Sequence, residues 1–260
     1  MNPEDINELF LRTLSGNYED DAPWDAVAAL RRMGTREVFD QAAAWCQSDV
    51  PLKRARGADV LAQLRKAPDC KVNVFSEESY ALLTELVQEE SHPRPLASAI
   101  AALGHLDNPS AVPMIANFHA HPNAEVRYDV AFALGCFPDE PRSVQVLVRL
   151  MRDADEDVRD WATFGVGVLG NSDSTEIREA LFVALADADE DVSEEALVGL
   201  AKRKDRRIVP MLLAELEKQE VGVRVIEAAY LMLDMQREHE GWNAPDYAGA
   251  LRDRFPHEIT

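Results

Sequence analysis

AEVRYDVAFALG at 124–135, EDVRDWATFGVG at 156–167 and EDVSEEALVGLA at 190–201 are copies of one phrase. Each reads as an acidic turn followed by a helix with small apolar residues along one face. A unit of roughly thirty residues cannot bury that face by itself, so it must stack on its neighbours, and stacked units make a helical solenoid.

Counting from the residue that opens the second helix of a unit, Val158, Ala162, Gly165, Val166 and Leu169 share one side. Steps of three and four form a single buried stripe on an α-helix. The neighbouring copies give Val126, Val130, Ala133, Leu134 and Phe137, then Val192, Ala196, Gly199 and Leu200. Pro95, Ala99, Ala102, Leu103 and Leu106 obey the same rule, and weaker copies open at Ala22, Lys53 and Val221. The openings at 22, 53, 95, 126, 158, 192 and 221 are spaced by 31, 42, 31, 32, 34 and 29 residues. Ala and Gly in the stripe let helix backbones approach closely, as stacked hairpins need. First helices are predicted near 36–48, 77–89, 110–120, 142–152, 175–186 and 206–218. Only VNVF at 72–75 alternates with period two.

The expected fold is therefore all-α, an α-α superhelix of about six to seven helical hairpins forming one solenoid over 1–260. The long step places an insertion at 66–76, and the ends, 1–20 and 240–260, read as caps that shield the terminal hairpins. Asp157 and Asp191 stand where a helix N-terminus favours a carboxylate.

Hydrophobic residues make up 47% of the 260, enough for a continuous core. There are 47 acidic against 27 basic side chains, a formal charge of -20. That charge repels nucleic-acid backbones and anionic membranes and favours a basic protein partner. Cys46, Cys70 and Cys136 are widely spaced and form no CxxC, which suits a reducing compartment. MNPEDINELFLRTL lacks the order of a signal peptide, and no apolar stretch has membrane-spanning length. The expectation is a cytoplasmic protein.

The shared consensus, an acidic turn followed by VRxxAxxALGxLxxxxAVPxL, resembles the HEAT-like repeat associated with phycobilisome lyases. Arg127 and Arg159 match its arginine, while Ser193 and Gly222 depart from it. The resemblance implies a fold and leaves activity open, because this scaffold serves many tasks. DVRDWATFGVG, NSDSTEIREAL and EEALVGLAKRKDRRIVPML, between 157 and 212, are similar to a narrower group. Those are bacterial HEAT-repeat proteins like the one encoded beside an Rhs-family toxin gene and regarded as its immunity protein. This resemblance implies an inhibitor that occludes a toxin domain.

HEAT-like hydroxylases bind iron through His-Glu pairs in successive second helices. Those positions here hold Tyr128–Asp129, Asp160–Trp161 and Glu194–Glu195, and the pairs His239–Glu240 and His257–Glu258 lie beyond the clear repeats. His119 and His121, beside Pro122, read as helix-end residues. No GxSxG, phosphate loop or HExxH is present. The chain is thus expected to carry no catalytic residues, metal or other cofactor. A bilin lyase or metal-dependent hydroxylase is the alternative, and a general assembly scaffold a third reading.

In the HEAT-like arrangement second helices line the concave surface, with positions three, four and seven pointing away from the stripe. These are Tyr128, Asp129 and Phe132, then Asp160, Trp161 and Phe164, then Glu194, Glu195 and Val198. Carboxylates interleaved with rings suit a groove for a basic protein, the rings supplying contact area and the acids steering. A rotation by one position would instead put Trp161 and Phe164 in the core and leave the acids solvating the helices. The DADED turns at 153–157 and 187–191 are either capped, solvated loops or a negative rim, with Arg127 and Arg159 bridging adjacent turn carboxylates.

Overall fold

The computed structural model describes residues 5–65 and 73–258. The first hairpins pair α1 (Ile6–Arg12) with α2 (Asp21–Met33) and α3 (Arg36–Cys46) with α4 (Pro51–Leu61). Next come α5 (Ser76–Glu89) with α6 (Pro93–His105) and α7 (Val112–Ala116) with α8 (Ala124–Gly135). Then α9 (Pro141–Leu150) pairs with α10 (Glu156–Phe164), and α11 (Thr175–Ala184) with α12 (Glu190–Lys202). The last pair is α13 (Val209–Leu216) with α14 (Val223–Met232), followed by α15 (Ala244–Arg254). The described residues contain no named strand, and the fold is the all-α, HEAT-like solenoid class that the repeats predict.

Contacts divide the chain into two compact units, 1–137 and 138–260. In the first, α2, α4, α6 and α8 pack in succession, and in the second α10, α12 and α14 do so. Their stripes are the core: Ala99, Ala102, Leu103, Val126, Val130, Ala133, Leu134, Val158, Ala162, Val192, Ala196 and Leu200 are almost wholly buried. Full burial of one Val or Leu is worth ~1.5–3 kcal/mol, so these stripes outweigh any surface ion pair.

Two glycines permit the closest approach. A Cβ on Gly199 of α12 would stand 2.7 Å from the Gly167 Cα, and one on Gly167 would stand 2.8 Å from the Glu195 carbonyl oxygen. Gly167 lies in Gly165–Leu169, where α10 ends in a wider π-helical turn. The extra residue per turn swings Leu169, predicted for the buried stripe, out to 40% exposure. In α2 the stripe is rotated: Pro23, Ala26, Val27 and Leu30 are buried, while Ala22 is exposed.

The helix-capping carboxylates are Asp155 and Asp189, whose side chains accept from the amides of Val158 and of Asp191 and Val192. Asp157 and Asp191 lie in the first turns, where they complement the helix dipole without capping it. Of the predicted first helix at 110–120, only Val112–Ala116 is α-helical, preceded by a 3-10 turn at Pro109–Ala111. The amides of Asn117 and Phe118 bond three residues back, and Pro122 cannot continue a helix.

Residues 66–72 of the predicted insertion lie outside the described residues. At its described end Asn73 forms an isolated antiparallel bridge with Arg65, and its side-chain amide donates to the Leu61 carbonyl at 2.8 Å. At the N-terminal end α1 buries Leu9 and Phe10, and at the C-terminal end α15 buries Tyr247, Ala248 and Leu251.

Candidate protein-binding site

In the second unit, Asp160, Trp161 and Phe164 of α10 are half-buried, neither sealed in the core nor fully solvated. The Trp161 and Phe164 rings meet edge to face, with centroids 5.7 Å apart. The Arg224 guanidinium of α14 lies 5.8 Å from the Phe164 centroid, and its Nη1 donates to Glu227 Oε2 at 2.8 Å. On α12, Glu194 is half-buried against Gly222. Glu195 is 8% exposed and Val198 is fully buried. Here the helix is turned inward relative to the predicted face: Val198 belongs to the core, and Glu195 is held beneath the surface row.

Asp160 and Glu195 are neighbours across α10 and α12. Taken as carboxylates, neither Asp160 Oδ1 nor Glu195 Oε2 has a hydrogen-bond donor. Burial first, and then the Asp160 charge, pushes the Glu195 carboxyl up to about 9. Asp160 is also raised, by burial and by Asp191 and Asp189. Glu195 is therefore the member of the pair that keeps a proton at neutral pH.

In the first unit, Tyr128, Asp129 and Phe132 of α8 are half-buried, and the Phe132 ring meets His105 of α6 edge to face at 5.0 Å. Burial, followed by the charges of Glu125 and Asp59, pushes the Asp129 carboxyl well above its usual range. This unit already holds a side chain of its own N-terminal segment. Tyr18 donates to Asp59 Oδ2 at 2.6 Å, and its hydroxyl lies 2.8 Å from Ser98 Oγ. The guanidinium carbons of Arg56 and Arg94 stand 3.8 and 4.1 Å from the Tyr18 ring centroid. Arg56 is wholly buried and donates to Asp59 Oδ2 and to the carbonyls of Thr13 and Tyr18. Arg94 pairs with Glu19 and Glu125.

These groups escape a reading confined to the three clear copies. The same count from Lys53, Pro95 and Val221 lands on Arg56 and Asp59, on Ser98, and on Arg224 and Glu227. The outer repeats therefore add arginines at the position where the central copies carry Asp129, Trp161 and Glu195. The second-helix faces are acidic in net charge but not uniformly negative.

The acidic turns serve the scaffold. Asp153 Oδ1 and Asp187 Oδ1 accept the amides of Asp155 and Asp189, each at 3.0 Å. Arg159 bridges the two turns as the repeat predicts, bonding Asp187 and the Asp153 carbonyl. Arg127 donates to the carbonyls of His121 and Pro122. His121 Nδ1 accepts the Asn123 amide, and His119 Nδ1 lies 2.9 Å from the Ala116 carbonyl oxygen. Among the described residues no group of three or more His, Cys, Asp or Glu is placed to hold a metal ion. No helix among them is long and apolar enough to cross a membrane.

Residues 80–167 match the HEAT-repeat family. Protein YibA of Escherichia coli K12 is 29% identical over 210 residues, 78% of this chain and 72% of YibA. The X-ray structure of Escherichia coli YibA has the same fold at a TM-score of 0.73 and 23% identity, covering 97% of this chain and 93% of that one. The archaeal HEAT-like repeats protein from Thermococcus onnurineus NA1 has a TM-score of 0.55 at 15% identity, covering 96% and 99%. A designed armadillo repeat protein in complex with peptide (KR)4 has a TM-score of 0.51 at 14% identity, covering 76% and 98%. By its repeats, its helix order and its fold, this chain has the all-α HEAT-like solenoid architecture, and its residues 80–167 carry the HEAT-repeat match.

Proposed function

We propose that this chain is a non-enzymatic interaction protein that holds a basic protein partner on its second helices. One observation carries the reading. Trp161 and Phe164 form an edge-to-face pair that stays half-exposed beside Asp160, with Glu194 and Glu195 on the next second helix. Burying such rings in a core would gain more than leaving them open, so their exposure favours an interface. The formal charge of -20 favours a basic partner and speeds its encounter.

The resemblance to the immunity group supports a toxin domain as that partner, neutralised by occlusion. Toxins that cleave nucleic acids tend to be basic, so an acidic inhibitor gains association rate. On the second unit Trp161 and Phe164 serve as anchors and Asp160, Glu194 and Glu195 as charge partners; on the first unit Tyr128 serves as an anchor and Asp129 as a charge partner. The widely spaced cysteines fit action in the reducing cytoplasm.

A pull-down against the product of the neighbouring gene tests the reading. Tight binding is expected, with Trp161→Ala weakening it ~30-fold or more and a double reversal, Asp160→Lys with Glu194→Lys, weakening it most at low salt. Absence of binding, or binding indifferent to both variants, overturns it. Stoichiometric iron in the purified protein, or transfer of a bilin to an acceptor, would make it an enzyme instead, and several unrelated partners would make it a general scaffold.

A further inference from the structure

Among the described residues, no cation is hydrogen-bonded to the inner oxygens of the Asp160–Glu195 pair. Both inner oxygens are shielded from water and receive no donor from the described residues, and Glu195 is 8% exposed. A buried carboxylate requires a cation or a proton. A positive charge acting on Glu195 is that of Arg224, which donates to Glu227. The other charges that reach the two groups are acidic: Asp157 on α10 and Asp189 and Asp191 at the start of α12. Phe164 lies one helical turn beyond Asp160, and Trp161 is its neighbour, so ring faces that attract cations stand on the same helix.

We propose that this pair is the seat of one lysine or arginine side chain of the basic partner, whose ammonium or guanidinium supplies the donors that the chain withholds. The inference rests on the basic-partner reading and adds where the decisive cation goes. It also has a thermodynamic signature. The free pair carries one proton and one negative charge. An entering cation displaces that proton to the buffer, leaving two carboxylates and one cation, so the net charge of the seat is unchanged. Affinity therefore rises with pH, ~10-fold per unit between pH 7 and pH 9, where the displaced proton is lost anyway.

The test is titration calorimetry of the full chain with the peptide (KR)4 at pH 7.5, in phosphate and in Tris, whose ionisation enthalpies differ. About one proton is expected to be released per peptide bound. Glu195→Gln, with its fold checked by circular dichroism, is expected to release none and to lose the pH dependence of binding. Asp160→Asn, a second isosteric variant, is expected to weaken binding ~10-fold. Binding without proton release, or with the same release from Glu195→Gln, overturns the seat while leaving an acidic binding face in place. Failure of (KR)4 to bind anywhere between pH 7 and pH 9 also overturns the seat, and the pull-down against the neighbouring gene's product then judges the wider reading by itself.

Discussion

Arg159 grips Asp187 with two parallel hydrogen bonds, Nε to Oδ2 at 2.8 Å and Nη2 to Oδ1 at 2.9 Å. Its remaining nitrogen, Nη1, holds the carbonyls of Asp153 and Ala154. One guanidinium thus ties the turn before α10 to the turn before α12, which explains the arginine of the repeat. A planar fork can do this and an ammonium cannot. Arg159→Lys is expected to cost ~1–2 kcal/mol in urea unfolding, and a double-mutant cycle with Asp187→Asn should return a coupling of similar size. The Arg159 bonds also hold the Asp187 carboxyl below its usual range. Its share of stability is present above the unfolded carboxylate value and is lost as acid carries the pH down through the folded one. A lysine variant as stable as the parent would show that the fork contributes nothing.

Glu195 predicts the opposite slope. Its carboxyl is raised from 4.5 to about 9 in the folded chain. Between those values the folded protein keeps a proton that the unfolded chain has lost, so this group makes stability fall as pH rises. Glu195→Gln removes the ionisation and keeps a donor for Asp160. The variant should gain ~1–2 kcal/mol over the parent near pH 8.5 and match it near pH 4. Thermal unfolding midpoints across that range decide it. Parallel curves for the two proteins would mean that the pair does not share a proton.

Much of this scaffold is legible in the sequence because a stripe at steps of three and four is a local property. The buried residues of α6, α8 and α12 follow the stripe directly. The site is harder to read, because the facing of a helix depends on rotation by a single residue. At α10 the count places Trp161 and Phe164 at the surface, where they are half-exposed. At α12 the same count places Val198 there, yet it is fully buried. The π-turn at Gly165–Leu169 has no composition signal beyond its glycines, and the partners of Tyr18 lie 41 and 80 residues away. No local pattern reports contacts at that separation.

The two glycines of the second unit give a third prediction. Gly199→Ala places a methyl 2.7 Å from the Gly167 Cα, where only backbone movement makes room. It should cost ~2–3 kcal/mol, the penalty of overpacking two helices that cannot separate. Gly249 of α15 has nothing within 4 Å of its would-be Cβ, so Gly249→Ala should stabilise by up to ~1 kcal/mol through helix propensity. Denaturant midpoints moving the same way in both variants would contradict the packing argument.

The Tyr18 cluster separates the worth of a hydroxyl from that of a ring. Tyr18→Phe keeps the ring beside Arg56 and Arg94 but removes the donor to Asp59, and the loss should be ~1–2 kcal/mol. Arg56→Met removes the buried guanidinium and leaves Asp59 and two carbonyls short of donors, which should cost ~3–5 kcal/mol. Urea unfolding measures both. If Tyr18→Phe is neutral while Arg56→Met is severe, the arginine alone organises the cluster, and the phenol hydroxyl contributes no net stability. If Arg56→Met is mild, the methionine packs well enough to replace the guanidinium, because Asp59 has taken up a proton of its own.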